Sequence, residues 1–390
     1  MRLPALVIVV VVLALAAAAP AGAAPPALRV SGNALIDAGT GARFVPRGVN
    51  WPSFEYACYY GYGYANERTA HSVGPDDEDA ANIASWHANT VRLPLNQDCW
   101  LGDDGLPAFG TVAGYRAAVK SWVALLHRHG LAVVLDLHWS GPDGVPADGQ
   151  RAMADARSDD FWASVASAFR ADRAVMFDLF NEPAPRWKGD VLAFDLTWRC
   201  WLRGGCRAPA TNDAQRLDRR TFRVVGMQAL VRAVRRAGAR QPILLGGRNY
   251  ANDLRGWLES RPADDQLVAS FHSYPGQGCD NTACRDAQVA PVAARVPVVA
   301  TEIGEDDCRA GHVTRLIDWA TRHDVGYLAW EWILPDGPVT CGQSSAYSLI
   351  ADARGTPRQP LGAALQRRLA AAAASDRLGF RASTAWLTGP

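Results

Sequence analysis

"MFDLFNEPAP" (residues 176–185) changes character halfway along. Apolar, strand-forming residues run up to Phe180, and Asn181, Glu182 and Pro183 follow at once. The same kind of run, ending in polar residues, occurs at 131–139 ("LAVVLDLHW") and 296–303 ("VPVVATEI"). Others occupy 44–51, 89–95, 242–249, 267–274 and 325–332, making eight with 174–181. Segments with helical periodicity lie near 76–88, 114–129, 159–171, 215–237, 253–260, 285–294, 312–323 and 361–374. Gly130 and Gly238 stand just past two of these helix ends, where a left-handed residue closes the last turn. Near-continuous apolar strands alternating with helices describe a parallel sheet buried on both faces. Eight such units predict an α/β fold, a single-domain (β/α)8 TIM barrel, with a doubly wound open sheet as the alternative. Ahead of it, "LRVSGNALID" at 28–37 reads as a short N-terminal β-hairpin.

Composition limits what such a barrel does. With 390 residues, 49% of them hydrophobic, the chain can bury a large core. Forty basic and 39 acidic residues leave a net charge of +1, which argues against nucleic acid or an anionic membrane surface as partner. Arg2 precedes the apolar run "ALVIVVVVLALAAAA" (5–19), and Ala21 and Ala23 fit a small-residue cleavage site. Residues 1–23 are therefore expected to be a signal peptide. That leaves 24–390 as one secreted domain that does not stay with the membrane; an uncleaved anchor is the alternative.

Export accounts for the eight cysteines. Close spacing suggests the clips Cys200–Cys206 and Cys279–Cys284. Cys58–Cys99 and Cys308–Cys341 would use the remaining four, although sequence alone leaves many connectivities open. The spacing lacks the paired Cys or His ligands of a zinc site, so no metal is expected there.

In a parallel barrel, every strand's C-terminal end reaches one face, which carries the chemistry. The candidate strands deliver Asn50 and Trp51, then Arg92, then Asp136, His138 and Trp139, then Asn181 and Glu182. They continue with Arg248 and Asn249, His272 and Tyr274, Glu302, and finally Trp330, Glu331 and Trp332. Glu182 and Glu302 dominate this set. Two facing carboxyls, one protonated and one ionised, are the equipment for cleaving a glycosidic bond. Pro183 biases Glu182 away from helical dihedrals and so aims its side chain outward from the strand end. The 14 tryptophans and the stretch "YACYYGYGY" (56–64) offer flat apolar faces on which sugar rings stack.

"RGVNW", "VRLPL", "LDLHW", "LFNEP", "HSYPG" and "ATEIG" occur in that order between about residues 30 and 332. In these stretches the chain resembles glycoside hydrolase family 5, the cellulase-type group of retaining barrel glycosidases. The resemblance implies Glu182 as general acid/base and Glu302 as nucleophile. Arg92 would orient the nucleophile, His138, His272 and Tyr274 would line the catalytic subsite, and Asn181 would contact the sugar 2-hydroxyl. Trp330, or else Trp332, would be the stacking tryptophan. It further implies double displacement through a glycosyl-enzyme, a poly- or oligosaccharide substrate, no cofactor, no metal and a monomer. An endo-β-1,4-glucanase is the leading expectation. β-Mannanase, β-1,3-glucanase, an exo-acting enzyme and a glycan-binding barrel without catalysis are the alternatives.

Departures from the pattern are confined to loops. The segment after the fourth strand, "RWKGDVLAFDLTWRCWLRGGC" (186–206), is long, as is the loop after the third. Glu331 is expected in a structural hydrogen bond, and Glu305, Asp306 and Asp307 in a solvated loop.

Overall fold

A computed structural model describes residues 24–66, 74–102, 110–217, 219–335 and 337–385. The expected leader at 1–23 lies outside the described residues. Eight parallel strands close into a barrel in chain order: β1 (Arg47–Asn50), β2 (Thr90–Asn96), β3 (Ala132–Trp139), β4 (Val175–Asp178), β5 (Ile243–Gly246), β6 (Leu267–Ser273), β7 (Val298–Ile303) and β8 (Gly326–Ala329). β8 pairs with β1, so the barrel itself has no edge strand. Around it lie α1 (Asp77–Ser85), α2 (Val112–Arg128), α3 (Ala156–Phe169), α4 (Met227–Arg236), α5 (Trp257–Ser260), α6 (Thr282–Gln288), α7 (Gly311–Arg322) and α8 (Leu361–Ala385). The expected barrel is the observed one. Among the described residues, no helix is long and apolar enough to cross a membrane.

Local chemistry explains the element ends. Asp76 and Asp155 form capping boxes with Asp79 and Ser158, which satisfies backbone N–H groups that α1 and α3 would otherwise leave open. Gly130 and Gly238 have φ of 75° and 84°, as their places past α2 and α4 require. Gly48 in β1 is demanded by close packing. A Cβ there would lie 1.8 Å from the Thr90 carbonyl oxygen.

The strands bury residues on both sides, as a sheet enclosed by helices must. Tryptophans Trp122, Trp162 and Trp257 fill the layer between strands and helices, and the indole N–H of Trp162 donates to the Leu179 carbonyl (2.9 Å). The N-terminal hairpin (Leu28–Ser31 and Ala34–Asp37) gains a third strand, Arg43–Phe44. Its Leu28, Val30 and Leu35 join inward-facing Val134, Met176, Leu244, Val268, Val299 and Leu328 in one apolar cluster, so the hairpin plugs the end of the barrel opposite the site.

Two helix expectations fail in part, and of 253–260 only Trp257–Ser260 is helical. Of 215–237, only Met227–Arg236 is helical; Thr221–Arg223 instead pairs antiparallel with Arg207–Pro209. Residues 215–220 carry one apolar side chain and cannot supply a helical stripe, and Gly226 packs against Gly204 so tightly that a Cβ would lie 2.3 Å from its nitrogen. The loop after β4 thus holds two small hairpins, Arg186–Lys188 with Val191–Phe194 and Arg207–Pro209 with Thr221–Arg223, flanking the helical turn Trp198–Arg203. Disulfides Cys58–Cys99, Cys200–Cys206, Cys279–Cys284 and Cys308–Cys341 are all present, and each ties down a loop or short helix outside the barrel strands.

Candidate active site

Arg92 organises the mouth of the barrel. It projects from β2 and is fully buried. Its Nη1 donates to Glu302 Oε1 (2.6 Å) and Asn50 Oδ1 (3.1 Å), and its Nη2 donates to Asn181 Oδ1 (2.7 Å) and pairs with Asp136 Oδ2 (3.0 Å). Nε donates to Asp178 Oδ2 (3.0 Å). Burial works against its charge, and the acidic groups around it, Asp136 first and then Asp178 and Glu302, outweigh it, holding the guanidinium above its ordinary value. The planar fork of Arg suits this many-sided recognition in a way a lysine ammonium does not.

Glu302, on β7, is held from the other side by the Tyr274 hydroxyl, which donates to Oε2 (2.7 Å). Burial, and then the neighbouring Glu302 charge, push the Tyr274 phenol well above its usual value, so it remains a donor. Arg92 and Tyr274 together give this carboxylate two charge-assisted hydrogen bonds.

Glu182 has the opposite environment. Its side chain is 17% exposed, and burial pushes its carboxyl up to about 7; the field of Asp213 adds to this, and His138 opposes it. His272 Nδ1 lies 2.8 Å from Glu182 Oε1 and 3.5 Å from Glu302 Oε2, while its Nε2 meets Thr301 Oγ1 at 3.1 Å. Burial pushes His272 down to about 3 and His138 down to about 4, so both rings are neutral near pH 7. One oxygen from each glutamate and a nitrogen of His272 lie within 4.8 Å of one another. The two carboxyls thus face each other at close range, Glu182 raised by burial and Glu302 held by two donors, the kind of pairing that glycoside cleavage uses.

The walls suit a sugar ring. His138 donates from Nδ1 to Asp136 Oδ2 (2.7 Å), and its ring lies parallel to that of Trp330, 5.5 Å away. Trp330, Trp139, Tyr274, Tyr347 and Tyr60 line an open cleft of about 440 Å³ with Glu182 and Glu302 at its floor. Tyr60 is 52% exposed and packs edge-on to Trp139. The rest of the 56–64 stretch is divided: Tyr56 is buried, and Tyr64 stacks on Phe54.

The sequence-selected residues Arg92, His138, Asn181, Glu182, His272, Tyr274, Glu302 and Trp330 therefore converge on one cleft. Trp139 lines it too, but several other strand-end candidates turn away from it. Trp332 is buried edge-on against Trp86, leaving Trp330 as the cleft tryptophan, and Trp51 packs on Trp122. Arg248 lies over the Trp198 ring and bonds Asp253. Glu331 is buried outside the cleft lining. Glu305 is not a solvated residue; it is 2% exposed, and its carboxylate accepts from the backbone of His312 and Val313 at the start of α7.

Loops contribute what the strand pattern did not reveal. Gln150 receives Asn181 Nδ2 at its Oε1 (3.1 Å) and donates from Nε2 to the Glu182 carbonyl (2.8 Å), and its own carbonyl accepts from the Asp213 backbone (3.1 Å). Three successive left-handed residues after β5, Asn249, Tyr250 and Ala251, bring the Tyr250 N–H to the Pro183 carbonyl (3.0 Å). Both contacts fix the backbone around Glu182. Asp178 was a readable signal, a lone acid inside an apolar strand, whereas no periodicity marks Gln150, Asp213 or Tyr347.

The sequence profile of the cellulase family (glycosyl hydrolase family 5) matches residues 47–334. The chain belongs to glycosyl hydrolase family 5. This family 5 glycoside hydrolase is similar in fold to a β-glucanase from Saccharophagus degradans solved with cellotetraose, at 19% identity and a TM-score of 0.63, over 88% of this chain and 93% of that one. It is also similar to a β-mannanase from Thermomonospora fusca solved with mannotriose, at 18% identity and a TM-score of 0.57, over 87% and 93%. A mannanase catalytic domain from a Streptomyces species matches at 19% identity and a TM-score of 0.54, over 89% and 90%. No curated protein matches the chain in sequence.

Proposed function

We propose that this family 5 glycoside hydrolase is a secreted, retaining endo-β-1,4-glucanase. In this reading Glu302 is its nucleophile and Glu182 its acid/base. The observation that carries the mechanism is the approach of the two carboxyls to within 4.8 Å. Retaining enzymes separate them by roughly 5–5.5 Å, whereas inverting ones leave about 6.5–9.5 Å for a water.

Glu302 attacks the anomeric carbon while Glu182 gives its proton to the departing glycosidic oxygen, and a glycosyl ester forms on Glu302. Glu182, now ionised, takes a proton from water, which attacks the same carbon and restores Glu302. Asn181, fixed through its Oδ1 by Arg92, keeps one Nδ2 hydrogen beyond its bond to Gln150 to offer a sugar 2-hydroxyl. The chemistry needs no group beyond these side chains.

The glucan preference rests on the cellulase family match and the aromatic cleft; β-mannan is the second reading, favoured by the mannanase folds. We assign residues 1–23 to a signal peptide and 24–390 to one monomeric catalytic domain, in keeping with the four disulfides. The test is release of new reducing ends from β-1,4-glucan, mixed-linkage glucan, β-mannan, xylan and β-1,3-glucan, with Glu302→Gln beside the wild type. Release from β-1,4-glucan, absent in the variant, supports the proposal. Release from mannan alone moves the substrate, and activity in Glu302→Gln removes it as nucleophile.

A further inference from the structure

Three carboxylates meet one guanidinium at the floor of the site. Glu302, Asp136 and Asp178 lie 2.6, 3.0 and 3.0 Å from Arg92 nitrogens, and none of the four side chains is more than 5% exposed. Were all three ionised, the cluster would hold a net charge of −2 where water does not reach, and the neighbouring His138 and His272 are neutral. Uncompensated charge of that kind is expelled or neutralised by a proton.

The hydrogen bonds say which acid takes the proton. Among the described residues, Asp136 Oδ2 receives two donors, Arg92 Nη2 and His138 Nδ1, and Asp178 Oδ2 receives one, Arg92 Nε. The other oxygens, Asp136 Oδ1 and Asp178 Oδ1, are both buried without a partner among the described residues. β3 and β4 run side by side in a register that sets Asp136 opposite Asp178. Two orphaned acceptors on facing residues are a fault in the core, and one proton between them removes it.

We propose that Asp178 is a neutral carboxylic acid whose Oδ1–H donates to Oδ1 of Asp136. Asp136 then carries the charge with three donors on it, and the net charge of the cluster falls to −1. Burial raises both carboxyls, Asp136 to about 7 and Asp178 well above its ordinary value. Asp178 is thereby a positioning residue: it holds Arg92 Nε while leaving the guanidinium charge to Asp136 and Glu302. Its bearing on catalysis rests on Glu302 being the nucleophile; the proton itself does not.

The test is infrared spectroscopy of the full-length protein at pH 7 in a Glu182→Gln background, which removes the other buried acid of the site. We expect a carboxylic-acid carbonyl band that is lost in Asp178→Asn. Neutron diffraction from wild-type crystals should place a deuteron on Asp178. In the otherwise wild-type enzyme, Asp178→Asn, whose amide N–H can replace the proton, should lower kcat/KM less than tenfold, and Asp178→Ala at least a hundredfold. A spectrum without the band, a band that survives Asp178→Asn, or a deuteron absent from Asp178 overturns the proposal. So does an Asp178→Asn variant that folds and is as damaged as Asp178→Ala. Loss of activity in Glu302→Gln with the band intact would separate the two readings.

Discussion

Replacing Glu182 by Ala tests the division of labour between the two glutamates most directly. A glutamate titrating at its usual 4.5 would be protonated in about 0.3% of molecules at pH 7; pushed up to about 7, half of them carry the proton, roughly 150 times more. General acid catalysis contributes about 10²–10⁴ in rate, or about 3–5 kcal/mol of barrier. Glu182→Ala should therefore lower kcat/KM on an oligosaccharide by that factor. On a dinitrophenyl glycoside, whose phenolate departs without a proton, the loss in kcat/KM should stay near tenfold. The glycosyl-enzyme then lacks its base, so a burst of phenolate should appear, and azide should speed turnover and yield a glycosyl azide of retained configuration. The sign of the pH dependence follows from the raised value. Wild-type activity needs the protonated acid and falls as pH rises through about 7, and Glu182→Ala should lose that alkaline limb. Equal losses on both substrates, or an azide product of inverted configuration, would refute the assignment.

Tyr274→Phe deletes the 2.7 Å hydrogen bond to Glu302, and a hydrogen bond to a charged group is worth about 1.5–3 kcal/mol. kcat should fall by about 10- to 150-fold, measured with activated and natural substrates, while the thermal midpoint changes little. The disulfides Cys58–Cys99 and Cys308–Cys341 close loops of 41 and 33 residues, each worth about 4 kcal/mol in the chain-entropy account. Reduction should lower the thermal midpoint by more than about 10 °C by calorimetry, and an unchanged midpoint would contradict a stabilising role.

Much of this protein is legible in its sequence because the deciding signals are local. Eight apolar runs separated by helical periodicity leave few arrangements, and the wish of each strand to be buried on both faces selects the barrel. Glu182 and Glu302 are visible because each ends such a run, where a carboxylate has no structural reason to be. Strand ends that turn out to be packing, Trp51, Trp332 and Arg248, look the same in one dimension. Trp330 and Trp332 would share a face in a continuing strand, but both lie past the end of β8, and only the folded chain decides which of them meets the cleft.

The tertiary structure alone decided three things. Glu305 becomes a helix cap because the β7 loop folds back over α7. Gln150 and Asp213 reach the site because loops after β3 and β4 cross above it. Above all, the two glutamates differ in kind only through their neighbours. Residue type makes them equal, whereas Arg92 and Tyr274 donate to the carboxylate of one and burial raises the carboxyl of the other, a difference of environment that no local sequence pattern encodes.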